Sequence, residues 1–411
     1  MITLHFTTLD RDLYRLNVSP ETTVKQIKSL LIKKIFVSKG FVNHIFWEDE
    51  ELDDDKKIED FSFIQEGKLN TDNRLTVHCS LLEHAPPESI DTTNQYRVWF
   101  SNDPTQYLPD DFKVIIEESI KCNPGNKTTL ITNTPILSDE TKDKLRIWSN
   151  YSNCNILDLS EIIPKNDIEK IILQIVKEEL YYWTNSPFTG SCAIASDLVR
   201  LLLVNDGVYL DCDIFVSEAV PKTVTMPYGC FLRKYGEFII PFNNDIMCFN
   251  STKGREILGK IEMKIISNYL KMDDPSSISD ADVSRIVLKH IESRATEKEQ
   301  ETKKYSYSDY FNYIVLTTSG PTAMFSIISN LTGSFQPQFK EWACNQFSNY
   351  VVCDAHLHKP TEKKSRWLPN SIFTYQQHDK TLLALRNKLQ AINKEYMHHD
   401  VESSPSNYNS I

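Results

Sequence analysis

Apolar and polar residues alternate with a period of two over Met1-Ile-Thr-Leu-His-Phe6 and again over Tyr14-Arg-Leu-Asn-Val18. That is the pattern of half-buried strands, and the acidic stretch Asp10–Asp12 between them predicts a hairpin. The period then lengthens: Val24, Ile27 and Leu31 form a helical stripe that Thr22 or Thr23 can cap. His44-Ile-Phe-Trp47 and Leu75-Thr-Val-His-Cys79 read as further strands, separated by Leu52, the polar turn Asp53–Lys57, Ile58-Glu-Asp-Phe61, Gly67 and the polar stretch Lys68–Arg74. From Tyr96 onward the pattern changes. Short apolar runs at Tyr96–Phe100, Thr128–Asn133, Cys154–Asp158 and Glu237–Asp245 alternate with helical periods at 166–182, 253–270 and 280–294. Strands and helices in alternation predict an α/β fold.

The stretch between the two regimes, residues 83–95, is polar and stiffened by Pro86-Pro87, and reads as a linker. The expected organisation is therefore a unit over 1–82, a larger one over 96–395 and a polar tail, 396–411, without order of its own. Residues 273–304 are dense in charge, as a solvated face or a projecting helical insertion would be.

One stretch of the larger unit concentrates chemistry. Ile194, Leu198, Leu201 and Leu202 mark one face of a helix on which Asp197 and Arg200, three apart, are neighbours. Asp206-Gly207 breaks that helix, and the short strand Val208-Tyr209-Leu210 ends in Asp211-Cys212-Asp213. Carboxylates at a strand's C-terminal edge suit a hard divalent cation, which takes oxygen ligands and keeps positions open for phosphate. An isolated Asp-x-Asp also occurs in surface turns; the ordered set of helix, Asp/Arg pair, turn, strand and Asp-x-Asp is more specific.

Composition narrows the classes. A net charge of −11 argues against non-specific nucleic-acid binding. Nine cysteines without Cys-x-x-Cys spacing read as reduced thiols rather than as a disulfide or metal framework. No signal-peptide pattern opens the sequence, and no apolar run approaches the ~18 residues of a membrane span. The expected setting is the cytosol.

Several residues match the tasks of binding a base, a sugar and a diphosphate. Trp99 offers a stacking face, with core packing as the alternative. Asp211 can accept from hydroxyls and Asp213 can bind a cation. Asp197 and Arg200 either hold sugar hydroxyls or form a pair exposed to water. Ser365 and Trp367 either close over a diphosphate or belong to a surface loop. Ser319-Gly-Pro321 opens a helix whose N-terminus faces an anion or is simply capped.

Two resemblances sharpen this. The order of hairpin, helix, strand, Leu52-Asp-Asp, Ile58-x-Asp-Phe61 and closing strand resembles ubiquitin, a β-grasp fold, across residues 1–82. No Gly-Gly follows the last strand, so a docking module, engaging ubiquitin machinery or another host protein, is expected rather than a conjugated modifier. Residues from about 96 to 370 resemble the DXD glycosyltransferases of the Rossmann-like GT-A fold, above all the glucosylating domain of large clostridial toxins, with bacterial effectors and Och1-type mannosyltransferases further off. The resemblance lies in Val98-Trp99, Ala195-Ser-Asp-Leu-Val-Arg200 with Tyr209-Leu-Asp-Cys-Asp213, Ser319-Gly-Pro321 and Glu362-x-x-Ser365-x-Trp367.

What this second resemblance implies is a UDP-sugar donor with Mn²⁺ or Mg²⁺. Trp99 would stack on uracil; Ser196, Asp197 and Arg200 would contact sugar or ribose; Tyr209 would lie beside the diphosphate. Asp211 would bond hydroxyls and Asp213 the metal, with Glu362 and Ser365 near it on a C-terminal loop. Trp367 would donate its indole N–H to the glycosidic or β-phosphate oxygen, and Asn243 would stand near sugar and acceptor. The interval from Arg200 to Asp211 is two residues shorter than in the toxins, and Asp206-Gly207 replaces their Gly-Gly. The expectation is a metal-dependent retaining transferase moving a hexose, glucose before N-acetylglucosamine, from a UDP-sugar to a protein hydroxyl. The rivals are a non-catalytic binding protein of the ubiquitin pathway on a degenerate scaffold, and a glycan-directed transferase using a GDP-sugar.

Overall fold

The alternation at the start of the chain produces β1 (Ile2–Thr8) and β2 (Leu13–Val18), an antiparallel pair whose Leu4, Phe6, Leu16 and Val18 turn inward and are buried. Helix α1 (Val24–Lys34) starts at Thr23, whose hydroxyl accepts from the Gln26 amide while the Gln26 side chain accepts from the Thr23 N–H. Two backbone donors that the helix leaves open are thereby satisfied. Val24, Ile27 and Leu31 are all buried, as the stripe requires. Strands β3 (Phe41–Trp47) and β4 (Glu50–Glu51), the single turn α2 (Ser62–Gln65) and β5 (Leu75–Ser80) follow. The five strands lie in the order β2-β1-β5-β3-β4, with β5 parallel to β1 and antiparallel to β3.

The computed structural model describes residues 1–8, 13–34, 40–48, 50–80, 86–105, 108–185, 190–234, 242–299, 314–332 and 351–352. By backbone contacts the chain forms two units, Met1–Pro86 with Met324–Trp342, and Pro87–Ala323 with Ala343–Ile411. The turn expected at Asp10–Asp12 and the tail 396–411 lie outside the described residues.

In the second unit the expected alternation is present as a mixed α/β arrangement. Its elements are β6 (Glu88–Asp91), β7 (Asn94–Val98), α3 (Asp110–Cys122), β8 (Lys127–Thr132), α4 (Asp139–Arg146), β9 (Cys154–Asp158), α5 (Asp167–Asn185) and α6 (Cys192–Leu203). They continue with β10 (Val208–Leu210), β11 (Phe215–Val216), β12 (Thr223–Met226), β13 (Phe231–Lys234), β14 (Phe242–Cys248), α7 (Thr252–Leu270) and α8 (Asp280–Glu299). A helix, α9 (Pro321–Thr332), and the short β15 (Val351–Val352), which pairs with β11, close the described part. The main sheet runs β13-β14-β10-β7-β8-β9, in which β10, β7, β8 and β9 are parallel and the two edge strands on the β14 side are antiparallel. The chain steps outward from β7 to β8 to β9, then returns to lay β10 on the opposite side of β7. Strand order therefore reverses between β7 and β10, the position at which open α/β sheets leave a crevice at the strands' carboxyl ends.

Two expectations need correction. Residues 88–91, inside the stretch read as a linker, form β6 and pair antiparallel with β12, and Ile90 is fully buried. The charged stretch after residue 273 does not project: α8 buries Val283, Val287 and Ile291. Gln174 Nε2 on α5 donates to Asp280 O at 2.8 Å, and Ser284 Oγ donates to Glu178 Oε1 at 2.7 Å. Only its outer side is solvated. Among the described residues no helix is long and apolar enough to cross a membrane.

Candidate donor-sugar site

Tyr209 on β10 stands opposite Tyr96 on β7, so the carboxyl ends of these two parallel strands lie side by side, one continuing into Trp99 and the other into Asp211. The close approach depends on Gly207, where an added Cβ would lie 2.3 Å from the Asn94 carbonyl oxygen. Beyond β10 the chain makes a tight turn. The Asp211 N–H donates to Asp245 O on β14 at 2.8 Å, while the Asp211 carbonyl accepts from the Ile214 N–H at 3.1 Å and from Arg97 Nη1 at 2.7 Å. Cys212 is buried, and its thiol donates to the Val98 carbonyl at 3.3 Å, tying the turn to β7. Burial pushes that thiol up to about 12.

Helix α6 delivers the second half of the site. Ser191 caps it, its Oγ accepting from the Ile194 N–H at 3.1 Å. Farther along the same helix, Asp197 and Arg200 are not exposed to water but buried, at 7% and 6% exposure. Arg200 Nη2 lies 3.2 Å from Asp197 Oδ1 and 3.5 Å from Asp211 Oδ1; its Nη1 donates to Asn244 O at 2.7 Å and its Nε to Ser196 O at 3.2 Å. The guanidinium also lies 4.6 Å from the centroid of the Tyr209 ring, whose hydroxyl donates to Asp211 Oδ1 at 2.5 Å. Asp197 further accepts from Asn244 Nδ2 at 2.9 Å and from Ser319 Oγ at 3.0 Å. Gly320 follows, and a Cβ there would come within 3.3 Å of Asp197 Oδ2.

Burial pushes the Asp197 carboxyl upward, an effect that Arg200, Ser319 and Asn244 oppose. Burial acts against charge on Arg200 too, but Tyr209, Asp211, Asp197 and Asp245 outweigh it and hold the guanidinium above its ordinary value. Burial likewise drives the Tyr209 phenol well above its ordinary value. The group is thus a dense, prearranged network behind Asp211, which is itself one-third exposed at its side chain. Asp213, two residues on, is half-buried.

The structure brings together Ser196, Asp197, Arg200, Tyr209, Asp211 and Ser319, and sets Trp99 at the neighbouring strand end. Trp99 is half-buried, meets Phe112 edge to face at 5.5 Å, and its indole N–H is buried with no hydrogen-bond partner among the described residues. Glu362, Ser365 and Trp367 lie outside the described residues, as does the side chain of Asn243 on β14. Among the described residues no group of three His, Cys, Asp or Glu is arranged to hold a metal. The carboxylates of Asp211 and Asp213 are nevertheless hard oxygen donors of the kind Mn²⁺ or Mg²⁺ takes.

Two residues of this network escape a reading of the sequence by motif. No motif marks Asn244, yet both its amide and its carbonyl serve the Asp197/Arg200 pair. Arg97 lies within the alternating run Tyr96-Arg97-Val98, where it reads as an outward, solvated position; in a parallel sheet covered on both faces it is fully buried.

Known proteins bear on this arrangement. A curated relative, "Subversion of eukaryotic traffic protein A" of Legionella pneumophila subsp. pneumophila, is 25% identical over 170 residues, 40% of this chain. The aligned part amounts to 24% of that relative's length. Among solved structures, "PaToxG Glycosyltransferase" matches 65% of this chain and 91% of its own at 20% identity, with a TM-score of 0.36. The "UDP-bound glycosyltransferase domain from the YGT toxin" matches 58% of this chain and 76% of its own at 11% identity and a TM-score of 0.35. The family model described as Glycosyltransferase family 88 matches residues 82–289, half of the chain, including Trp99, α6 and the Asp211–Asp213 turn. The chain belongs to glycosyltransferase family 88.

Proposed function

We propose that this glycosyltransferase moves a hexose, glucose by preference, from a UDP-sugar to a hydroxyl of a protein, with retention of configuration and dependence on Mn²⁺ or Mg²⁺. The observation that carries the reading is the meeting of Trp99 and the Asp211–Asp213 turn at the reversal of strand order, backed by the Asp197–Arg200–Asn244–Ser319 network. In a GT-A arrangement the base stacks on Trp99 and the ribose and sugar hydroxyls donate to Asp211. Arg200 and Tyr209 fix that carboxylate in place, so that it spends no reorganisation when the donor enters. Asp213 would hold the divalent cation, which would supply charge stabilisation to the departing diphosphate. Glu362, Ser365 and Trp367 join the donor from the C-terminal segment, and Asn243 stands near the acceptor; these four rest on the sequence resemblance. No carboxylate is assigned as general base, since front-face transfer lets the leaving phosphate take the acceptor proton.

The first unit, with its β2-β1-β5-β3-β4 order and α1 across the sheet, supports a ubiquitin-like β-grasp reading, and we assign it a docking role toward a protein partner. The relative's printed name supports a setting in which a bacterial effector acts inside a eukaryotic host. UDP-glucose hydrolysis by the full chain in Mn²⁺ tests the enzyme against a non-catalytic scaffold. Asp213→Asn is expected to abolish it, and full turnover in that variant would remove Asp213 from the metal.

A further inference from the structure

One group next to the site has no place in the proposed reaction and is costly to keep. The side chain of Arg97 is fully buried, and Leu130, its neighbour across β8, belongs to the apolar cluster under α3 and α4 together with Ile116, Trp148 and Cys212. Among the described residues its one direct hydrogen-bond partner is the Asp211 carbonyl, at 2.7 Å from Nη1, and its Nε and Nη2 are buried without a hydrogen bond. A buried guanidinium with two unsatisfied nitrogens is worse for stability than an apolar side chain of the same volume. Fold stability therefore does not account for it. Placement does: Arg97 reaches the one backbone oxygen on which the Asp211–Asp213 turn closes, where the Ile214 N–H is the other donor.

We propose that Arg97 is a positioning residue, which clamps the Asp211–Asp213 turn from beneath through the Asp211 carbonyl, so that the turn is set for cation-assisted nucleotide binding before the donor arrives. The inference rests on the reading of this turn as a nucleotide-sugar site. Arg97 touches neither donor nor acceptor in this scheme; it acts through Asp211. Groups in that relation to a metal site typically change metal affinity about 10- to 100-fold when removed.

The experiment is calorimetric titration of the full chain with UDP, with and without Mn²⁺, accompanied by thermal melting, for wild type, Arg97→Met, Arg97→Lys and Asp213→Asn. Arg97→Met is expected to lose about tenfold or more of the affinity that Mn²⁺ adds. UDP binding without metal should stay within about twofold, and the melting temperature should be unchanged or raised. Arg97→Lys, which keeps the charge and one donor, is expected to recover part of the metal effect. Wild-type metal enhancement in Arg97→Met would overturn the proposal. So would a drop in melting temperature with equal loss of UDP binding in both conditions, since that is the mark of a structural role. Where Arg97→Met does not fold, Arg97→Lys decides: a reduced metal effect with normal melting supports the clamp, and an undiminished metal effect, or a fall in melting temperature with UDP binding lost equally in both conditions, overturns it. If wild type and Asp213→Asn bind UDP alike whether or not Mn²⁺ is present, the nucleotide-site reading itself falls, and Arg97 with it.

Discussion

Trp99 sits half in the apolar cluster and half out, with one edge against Phe112 and its N–H unbonded. A ring held in this way is ready to lend a face to a base at small entropic cost. Trp99→Ala is expected to weaken UDP binding by about 1–3 kcal/mol, the range for base–aromatic stacking; unchanged affinity in calorimetry would return the residue to plain packing. Trp99, Asp211 and Asp213 are legible from sequence because their spacing follows strand ends, and strand ends follow from hydrophobic period. Arg97 and Asn244 are not, because their work depends on partners 114 and 47 residues away. Nor does a lone arginine in an alternating run disclose that both faces of its sheet are covered.

At the scale of elements, the placing of α6 is a joint product of three other helices. Glu179 on α5 is fully buried and accepts from the Ser191 N–H at the cap of α6, from Tyr269 on α7 at 2.5 Å, and through both oxygens from Arg294 on α8 at 2.8 and 2.9 Å. Burial pushes this carboxyl upward, and Arg294 is the main opposing influence. Arg294→Leu leaves a carboxylate buried with its cation gone, and is expected to cost about 3–5 kcal/mol in chemical unfolding. Neutrality would show that the pair is dispensable. The helix of α8 was legible from its stripe of Val283, Val287 and Ile291, but its burial was hidden by surrounding charge, since Arg294 reads as one more solvated residue. Strand β6 was hidden differently. It has one buried apolar side chain, Ile90, and its partner strand begins more than 130 residues later, so no local period announces it.

Taken whole, the chain carries opposed responses to pH in its two units. In the first, burial lowers His78 from its ordinary 6.5 to about 4, with His44 adding to the effect and Glu51 opposing it. Between those values the unfolded chain holds the extra proton, so this contribution to stability is lost as pH falls from 6.5 towards 4. In the second unit, burial first and Glu169 next raise Glu262 from 4.5 to about 8. Here the folded state holds the extra proton, so stability declines as pH rises through that window. A tenfold difference in proton affinity between folded and unfolded chain is worth roughly 1.4 kcal/mol, so both effects reach a few kcal/mol. Glu262→Gln is expected to gain stability over wild type at about pH 9 and little at about pH 5, and His78→Phe the reverse. Urea unfolding at both values checks this, and parallel wild-type and variant curves would sink it.

The residue between the two aspartates has a consequence of its own. Cys212 lies between the two aspartates of the turn, yet its thiol is buried, bonded to the Val98 carbonyl and pushed up to about 12. Thiolate is the reactive form. A closed turn therefore keeps its sulfur chemically silent, and only an opened one exposes it. The same packing that aims the carboxylates shields the sulfur between them from oxidation, and makes the alkylation state of Cys212 a record of whether the turn has stayed closed.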